Sequence, residues 1–510
     1  KVLAVSTPTR AIWAIPGEAR LTPEQTRRLA ELLEMDIKDV ARRLDSGSDR
    51  VFLKRRLPPE IGDRIVALKL PGVGQDNEYR RYYPTGETTA HLVGYTGVGD
   101  MVRRRGQEAA EKGLEGVERM FEKQLLGRPG SRSVIKDLRG HIVDDLGSIR
   151  MPLEGEDIHL ALDSKIQHIA YSQLKQVIEE SGARAGGVVV ADPRTGEILA
   201  LANWPSYNPN DFTQRIPEKV RARAFTDFYE PGSVMKPFTT ALALETGKVR
   251  FDTVIDCSAG RLTIDGRTIS DSRRHGPLTV AQVIQKSSNV GTARIALMLA
   301  PEQMHRMYEA IGLGQAPGLG FPGEVAGLLH PWKSWRPIGQ VTMSYGHGLS
   351  VSLIQLVRAY TVFAREGDII PLTLLRADGD PFRSTPVFSP QTARETRAML
   401  ELTTQPGGTA TKARIPGYRV AGKSGTAHKI EGGQYVRKYV SSFVGFAPAS
   451  DPRLIVAVMI DEPRGAYFGG DVAGPVFSKV MGGALRMLGV APDAPVVQAA
   501  AGQSSQEGNL

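Results

Sequence analysis

Ser233 and Lys236 stand three residues apart in the run Glu230-Pro231-Gly232-Ser233-Val234-Met235-Lys236-Pro237. A serine hydroxyl is a weak nucleophile at neutral pH and needs an adjacent base that is itself unprotonated. Lysine becomes such a base when it is desolvated or faces a second cation. Pro231-Gly232 delivers the chain into a turn, and Pro237, which has no N–H to give, requires a helix that begins at about Ser233. Lys236 then lies one turn on, along the same face, and the orphan N–H groups of the first turn point toward an oxyanion formed at the serine's target.

Spacing by itself does not select this pair, because Ser-x-x-Lys occurs three times, at Ser133/Lys136, Ser172/Lys175 and Ser233/Lys236. Ser172 and Lys175 fall in an amphipathic run and read as a solvated helix face. Ser133 and Lys136 fall in a strand-like stretch, which puts their side chains on opposite faces. The third pair has companions downstream. Ser287-Ser288-Asn289 lies in a break between two helical runs, and Lys423-Ser424-Gly425-Thr426 lies on a strand, where its lysine supplies a second cation. Ser-x-Asn also occurs at Ser206-Tyr207-Asn208, in a loop ahead of the nucleophile, and a lone Lys-Ser-Gly is usually a turn. The signal is the three motifs in this order, on helix, loop and strand.

The elements that must carry these groups form two blocks. Up to about Gly155 the chain is rich in charge and turns, with short helices expected at Thr22 to Leu33 and Ile37 to Leu44 and a basic loop around 102–111. Beyond it come a strand at Ile158 to Leu162, a helix from Ile166 to about Glu180, and two β-type runs, Gly187 to Ala191 and Ile198 to Asn203, joined by Asp192-Pro193-Arg194-Thr195-Gly196. Helical stretches occupy most of Val280 to Leu402. Three strands, around Tyr418 to Ala421, Ser441 to Ala447 and Leu454 to Ile460, precede a helix from about Pro475 to Leu488. Two strands, a helical block and three more strands predict an α+β fold, with an antiparallel sheet of about five strands between helices. The expected domains are therefore 1–155, 156–490 and a disordered tail, 491–510.

Composition excludes several alternatives. The chain has 510 residues, 41% hydrophobic and 23% charged, as in an ordinary globular protein. Its net charge of +9 would attract any polyanion, but there is no zinc-finger spacing, aromatic-rich RNA signature or long basic run, so no nucleic-acid partner is expected. Cys257 is the one cysteine, which rules out an internal disulfide and a thiolate cluster. The nine histidines show no ligand spacing, so neither a metal nor a cofactor is expected. No stretch approaches the roughly 20 apolar residues of a membrane span. The abrupt opening, Lys1-Val2-Leu3-Ala4-Val5-Ser6, reads as the start of a segment of a longer precursor.

Ser-x-x-Lys, Ser-x-Asn and Lys-Ser-Gly in this order are the established signature of serine β-lactamases and penicillin-binding proteins. From these residues the chain resembles a class B penicillin-binding protein of the division-specific type, penicillin-binding protein 3. Further matching segments are Arg81-Tyr82-Tyr83-Pro84, Gly113 to Glu118, Tyr345-Gly346-His347-Gly348, Gly407-Gly408-Thr409 and Tyr467-Phe468-Gly469-Gly470. The resemblance implies a penicillin-binding, serine β-lactamase-like transpeptidase domain preceded by an elongated mixed α/β, dimerisation-type pedestal. Its activity would be D,D-transpeptidation of peptidoglycan stem peptides at the division septum, with β-lactams as covalent inhibitors.

In that scheme Ser233 is the nucleophile, Lys236 its base, Ser287 a proton relay and Lys423 a source of positive field. Asn289, Ser424, Gly425 and Thr426 hold substrate or β-lactam, Tyr467 and Phe468 wall the pocket or simply pack, and the backbone N–H groups of Ser233 and Thr426 form the oxyanion hole. The implied partners are a separate glycan polymerase and other division-complex membrane proteins. The implied location is the inner membrane, by a single-pass anchor outside this chain, with the catalytic domain in the periplasm. Two rival readings use the same motifs: a β-lactamase or D,D-carboxypeptidase, which needs a water-activating carboxylate near Ser233, and a division scaffold or β-lactam sensor without turnover.

Overall fold

A computed structural model describes residues 1–98, 111–128, 130–136, 142–377 and 383–495. The expected tail past 495, and the expected basic loop except for Glu111, lie outside the described residues. The chain divides into two compact units, Lys1–Gly86 and Glu87–Leu510. The break falls inside the segment expected to run to 155. Leu92, Val117 and Phe121, beyond Gly86, share one apolar cluster with the core of the second unit.

In the first unit Val5–Ala14 is the centre of a three-stranded antiparallel sheet, between Val51–Leu57 and Val73–Tyr82. Helices Pro23–Leu33 and Ile37–Leu44 match expectation. Thr22 caps the first in a reciprocal capping box: its hydroxyl accepts the Gln25 N–H at 3.2 Å, and the Gln25 side chain accepts the Thr22 N–H at 2.9 Å. Leu29, Ala30 and Leu33 then point inward against Ile12, Ala14 and Leu53.

The second unit is built on a five-stranded antiparallel sheet, in the order Ala421–Glu431, Gln434–Ala447, Leu454–Asp461, Ala185–Ala191, Ile198–Trp204. Both faces are covered, so alternate residues of one strand enter different cores and the strand reads as an unbroken apolar run. Val188, Val190, Val456 and Val458 pack with helices Ser164–Ser181 and Gly469–Met487. Val189, Ala191, Ile455 and Ala457 pack with Phe238, Val283, Val357 and Tyr360 of the helical block. Burying one such valine contributes about 1.5 to 3 kcal/mol.

Several expected boundaries differ, among them the strand expected from Ser441, which begins at Gln434. Ile158 to Leu162 is not a strand; only an isolated bridge joins Leu160 to Leu375. The motif strand starts at Ala421 and not at Tyr418, because the chain just before it has other partners: Val420 O accepts the Thr404 hydroxyl, and the Arg419 N–H goes to Asp493. The last helix begins at Gly469, six residues before Pro475, which it tolerates inside. A Cβ at position 469 would stand 2.2 Å from Gly425 O and 2.3 Å from Ser442 O, so this first turn lies on strand backbone where only glycine fits. Among the described residues no helix is long and apolar enough to cross a membrane.

Candidate active site

Ser233 sits on a 3₁₀ turn, Gly232–Met235, that runs directly into helix Lys236–Glu245. The α-helix proper thus begins at Lys236 and not at the serine. Pro237, near its start, lacks an N–H, and the tighter turn before it is closed by the Lys236 N–H on Ser233 O. Two further bonds pin the turn: the Tyr360 hydroxyl donates to Val234 O at 2.8 Å, and the Gly232 N–H to Gly346 O at 3.1 Å. Ser233 is half-buried there, and Lys236 is fully buried.

The Lys236 amine donates to Ser287 O at 2.5 Å, to Ser287 Oγ at 3.1 Å and to Asn289 Oδ1 at 2.7 Å. Ser287 reaches it because this residue breaks the helical run: it is left-handed, φ 57°, between helices Val280–Lys286 and Asn289–Ala296. Burial holds the Lys236 amine well below the ordinary lysine range, the charge of Lys423 lowers it further, and Asp271 opposes both. Lys423 is also fully buried, and burial brings it down to about 7. A desolvated amine one turn from a serine, with a second lysine beside it, can take the hydroxyl's proton.

Strand Ala421–Glu431 packs directly on the serine's turn. The contact is close at Gly425, where a Cβ would stand 2.6 Å from Pro231 O and 3.0 Å from Val234 Cγ1. Thr426 Oγ1 accepts the Gly469 N–H at 3.0 Å, which leaves its own proton free to donate. Ser424 Oγ lies 3.3 Å from Thr409 Oγ1, and Lys423 Nζ donates to Ser424 O at 3.0 Å. The Ser441 hydroxyl donates to Tyr467 O at 2.5 Å, the Tyr467 ring stacks on Tyr439 at 4.1 Å, and Phe468 follows, 51% exposed. The fold thus brings the serine, both lysines, Ser287, Asn289, Ser424 and Thr426 to one strand edge, with Tyr467 and Phe468 immediately beyond.

The other two Ser-x-x-Lys pairs are elsewhere. Ser133 and Lys136 are on strand Ser131–Lys136. Ser172 and Lys175 are on helix Ser164–Ser181, with Lys175 over the Trp204 ring.

Sequence reasoning missed one acidic group and the partners of another. Asp271 accepts the Ser288 hydroxyl at 2.7 Å and the N–H groups of Asn289 at 2.5 Å and Val290 at 3.0 Å, so it fixes the start of the helix that carries Asn289. Nothing local signals this, because it lies beyond a separate hairpin, Arg261–Ile264 with Arg267–Ser270. Glu230 is visible three residues before Ser233, but its partners His347, Gly348 and Tyr435 come from distant segments.

The architecture and the motif geometry agree with comparison to known proteins. Residues 186–482 match the penicillin binding protein transpeptidase domain, and residues 1–160 the penicillin-binding protein dimerisation domain. The chain is 42% identical over 506 residues to a probable peptidoglycan D,D-transpeptidase, PenA, of Neisseria gonorrhoeae, covering 98% of this chain and 85% of that one. It is 38% identical over 501 residues to the peptidoglycan D,D-transpeptidase FtsI of Escherichia coli K12, covering 96% and 83%. The solved transpeptidase domain of Burkholderia pseudomallei penicillin-binding protein 3 superposes with a TM-score of 0.62 at 50% identity, over 66% of this chain and 98% of that domain. The chain belongs to the penicillin-binding protein transpeptidase family.

Proposed function

We propose that this chain is a serine D,D-transpeptidase that cross-links peptidoglycan stem peptides at the division septum. One observation carries the reading: Lys236 is fully buried, bonded to Ser287 and Asn289, beside a second buried lysine and one turn after Ser233. An ammonium has three N–H groups for the three acceptors around it. The neutral amine, which burial favours, has two and a lone pair. That lone pair takes the Ser233 proton as Oγ attacks the carbonyl between the two terminal D-alanines.

The tetrahedral oxyanion lies against the N–H groups of Ser233 and Thr426, where one donor is typically worth about 2.7 to 4 kcal/mol of transition-state stabilisation. Collapse breaks the C–N bond. D-alanine leaves with a proton passed from Lys236 through Ser287, whose hydroxyl accepts from Lys236 and so keeps its own proton to donate. Asn289 holds the substrate's amide, and the Ser424 and Thr426 hydroxyls hold its carboxylate under the positive field of Lys423. Gly425 gives the strand its close approach, and Tyr467 and Phe468 wall the pocket. An amine of a neighbouring stem then attacks the ester, and Ser233 Oγ leaves and regains its proton. A β-lactam enters by the same steps, but its leaving group stays tethered and the ester persists.

A hydrolase would need a carboxylate free to activate water. Glu230, the carboxylate adjoining the nucleophile in sequence, is occupied by Gly348, Tyr435 and His347, which favours transfer to an amine. In this reading residues 1–155 are a non-catalytic pedestal, residues 156–490 carry the transpeptidase, and no cofactor takes part. A membrane anchor preceding residue 1 holds the enzyme at the periplasmic face of the inner membrane, with a separate glycan polymerase and other division proteins as partners.

Intact-mass spectrometry after incubation with a penicillin tests this. One adduct stable over hours, absent from Ser233→Ala, is the expected result. A transient adduct would make the chain a hydrolase, and none would leave a scaffold.

A further inference from the structure

The chemistry above leaves Glu230 without a step, yet its carboxylate is held from three sides. It is 8% exposed. It accepts the Gly348 N–H at 2.7 Å and the Tyr435 hydroxyl at 3.1 Å on either oxygen, and His347 Nδ1 lies 3.2 Å away. Burial alone would raise this carboxyl, but His347, Gly348 and Tyr435 together bring it below the ordinary glutamate range. These partners come from two segments that meet the nucleophile turn: the loop around 345–351 and the outer half of the hairpin Ala421–Glu431 with Gln434–Ala447.

That outer half is tied to the next strand through Lys429, which donates to Asp461 at 2.8 Å and to Glu462 at 2.7 Å, while its tip stands in solvent. A register shift separates His428 from Lys429, and beyond it Ile430 is 50% and Tyr435 55% exposed. The Tyr435 ring is half-exposed; it lies 6.0 Å from the His347 ring, and its hydroxyl bond to Glu230 adds the polar tie to the nucleophile turn. From Tyr435, ring contacts run to His428 at 6.4 Å, on to Tyr439 at 4.6 Å and then to Tyr467 at 4.1 Å. Inward of the shift, strand Ala421–Glu431, which carries His428, also carries Lys423, Ser424 and Thr426.

We infer that Glu230 is a positioning residue that, through Tyr435, latches the outer hairpin to the nucleophile turn and so sets Ser424 and Thr426 against Ser233. The inference rests on the acyl-enzyme reading above. The carboxylate serves because it accepts from the loop, the hairpin and His347 at once, and because hydrogen bonds to a charged acceptor are stronger than neutral ones.

The test uses the whole chain as wild type, Tyr435→Phe, Glu230→Gln and the double variant. Stopped-flow acylation by a fluorescent penicillin separates the dissociation constant of the first complex from the acylation rate constant, and amide hydrogen exchange is read over 428–438. Tyr435→Phe should lower the acylation rate constant about tenfold, the rate equivalent of one hydrogen bond to a charged group, and change the dissociation constant far less. The double variant should be no slower than the slower single one, and exchange should quicken over 428–438 in both single variants. A wild-type acylation rate in Tyr435→Phe, additive losses in the double variant, or unchanged exchange would each overturn the latch. Should Glu230→Gln fail to fold, Tyr435→Phe still decides, because its ring is exposed. A wild-type chain that never acylates would remove the transpeptidase reading instead, while the exchange comparison still judges the latch.

Discussion

Two buried regions of this molecule meet at one sheet, two strands apart, and obey opposite rules. At the centre of the sheet, Val188, Val456 and Val458 are fully buried among apolar neighbours, and their burial stabilises the fold. At the sheet's edge Lys236 and Lys423 are equally buried, and burial there works against the charged state of each. The first region spends sequence on stability. The second accepts a stability cost, because an amine kept in water would stay protonated and could not act as a base. Catalytic power and fold stability should therefore separate cleanly on mutation.

Lys236→Met is the strongest way to break the contrast. It keeps the side chain's length and removes the proposed base, so acylation by penicillin should fall by about 10² to 10⁴. The thermal midpoint should hold or rise, as removing a desolvated amine from an active site commonly allows. Penicillin kinetics and calorimetry on the same preparation check both halves, and a collapsed midpoint would show that the amine serves the fold.

Phe477→Ala is the mirror case. The ring is fully buried and lies 4.6 Å from Phe443, on the sheet face away from the lysines. Its loss should cost about 3 to 5 kcal/mol in urea unfolding. The acylation rate per folded molecule should stay unchanged.

The third test sharpens the contrast through pH. Lys423 has a folded value of about 7 against an ordinary 10.5. Between these values the unfolded chain binds a proton that the folded chain does not, so this group's contribution to stability rises as pH rises through that window. Lys423→Met lacks the group, and the wild type should gain on it steadily from about pH 7 to pH 10 in paired urea titrations. A constant difference would mean that Lys423 keeps its charge in the fold.

Much of this arrangement was legible beforehand. The strands Ala185–Ala191, Ile198–Trp204 and Leu454–Asp461 could be read because each is an unbroken β-rich run between turn residues, and the three motifs because their order and settings are restrictive. What escaped is instructive. The last helix, expected from Pro475, begins at Gly469; the glycines of its first turn are there for close approach to neighbouring backbone, a tertiary demand that local propensity does not register. The start of helix Lys236–Glu245 was misjudged by one 3₁₀ turn, since a proline near a helix start fits either geometry. Asp271 and Tyr435 could not be assigned at all, because each acts on a residue far away in sequence.

The segment between the aromatic pair and the last helix bears on how this enzyme can vary over time. Tyr467 is held at its carbonyl by Ser441, Gly469 at its N–H by Thr426, and Phe468 is the single residue between them. There is no slack to absorb an insertion or deletion. An added residue taken up by the helix would turn it by about 100° and carry Val472, Val476 and Val480 off the sheet. Lineages under antibiotic selection can thus exchange side chains at Phe468, but the length of this stretch is closed to them.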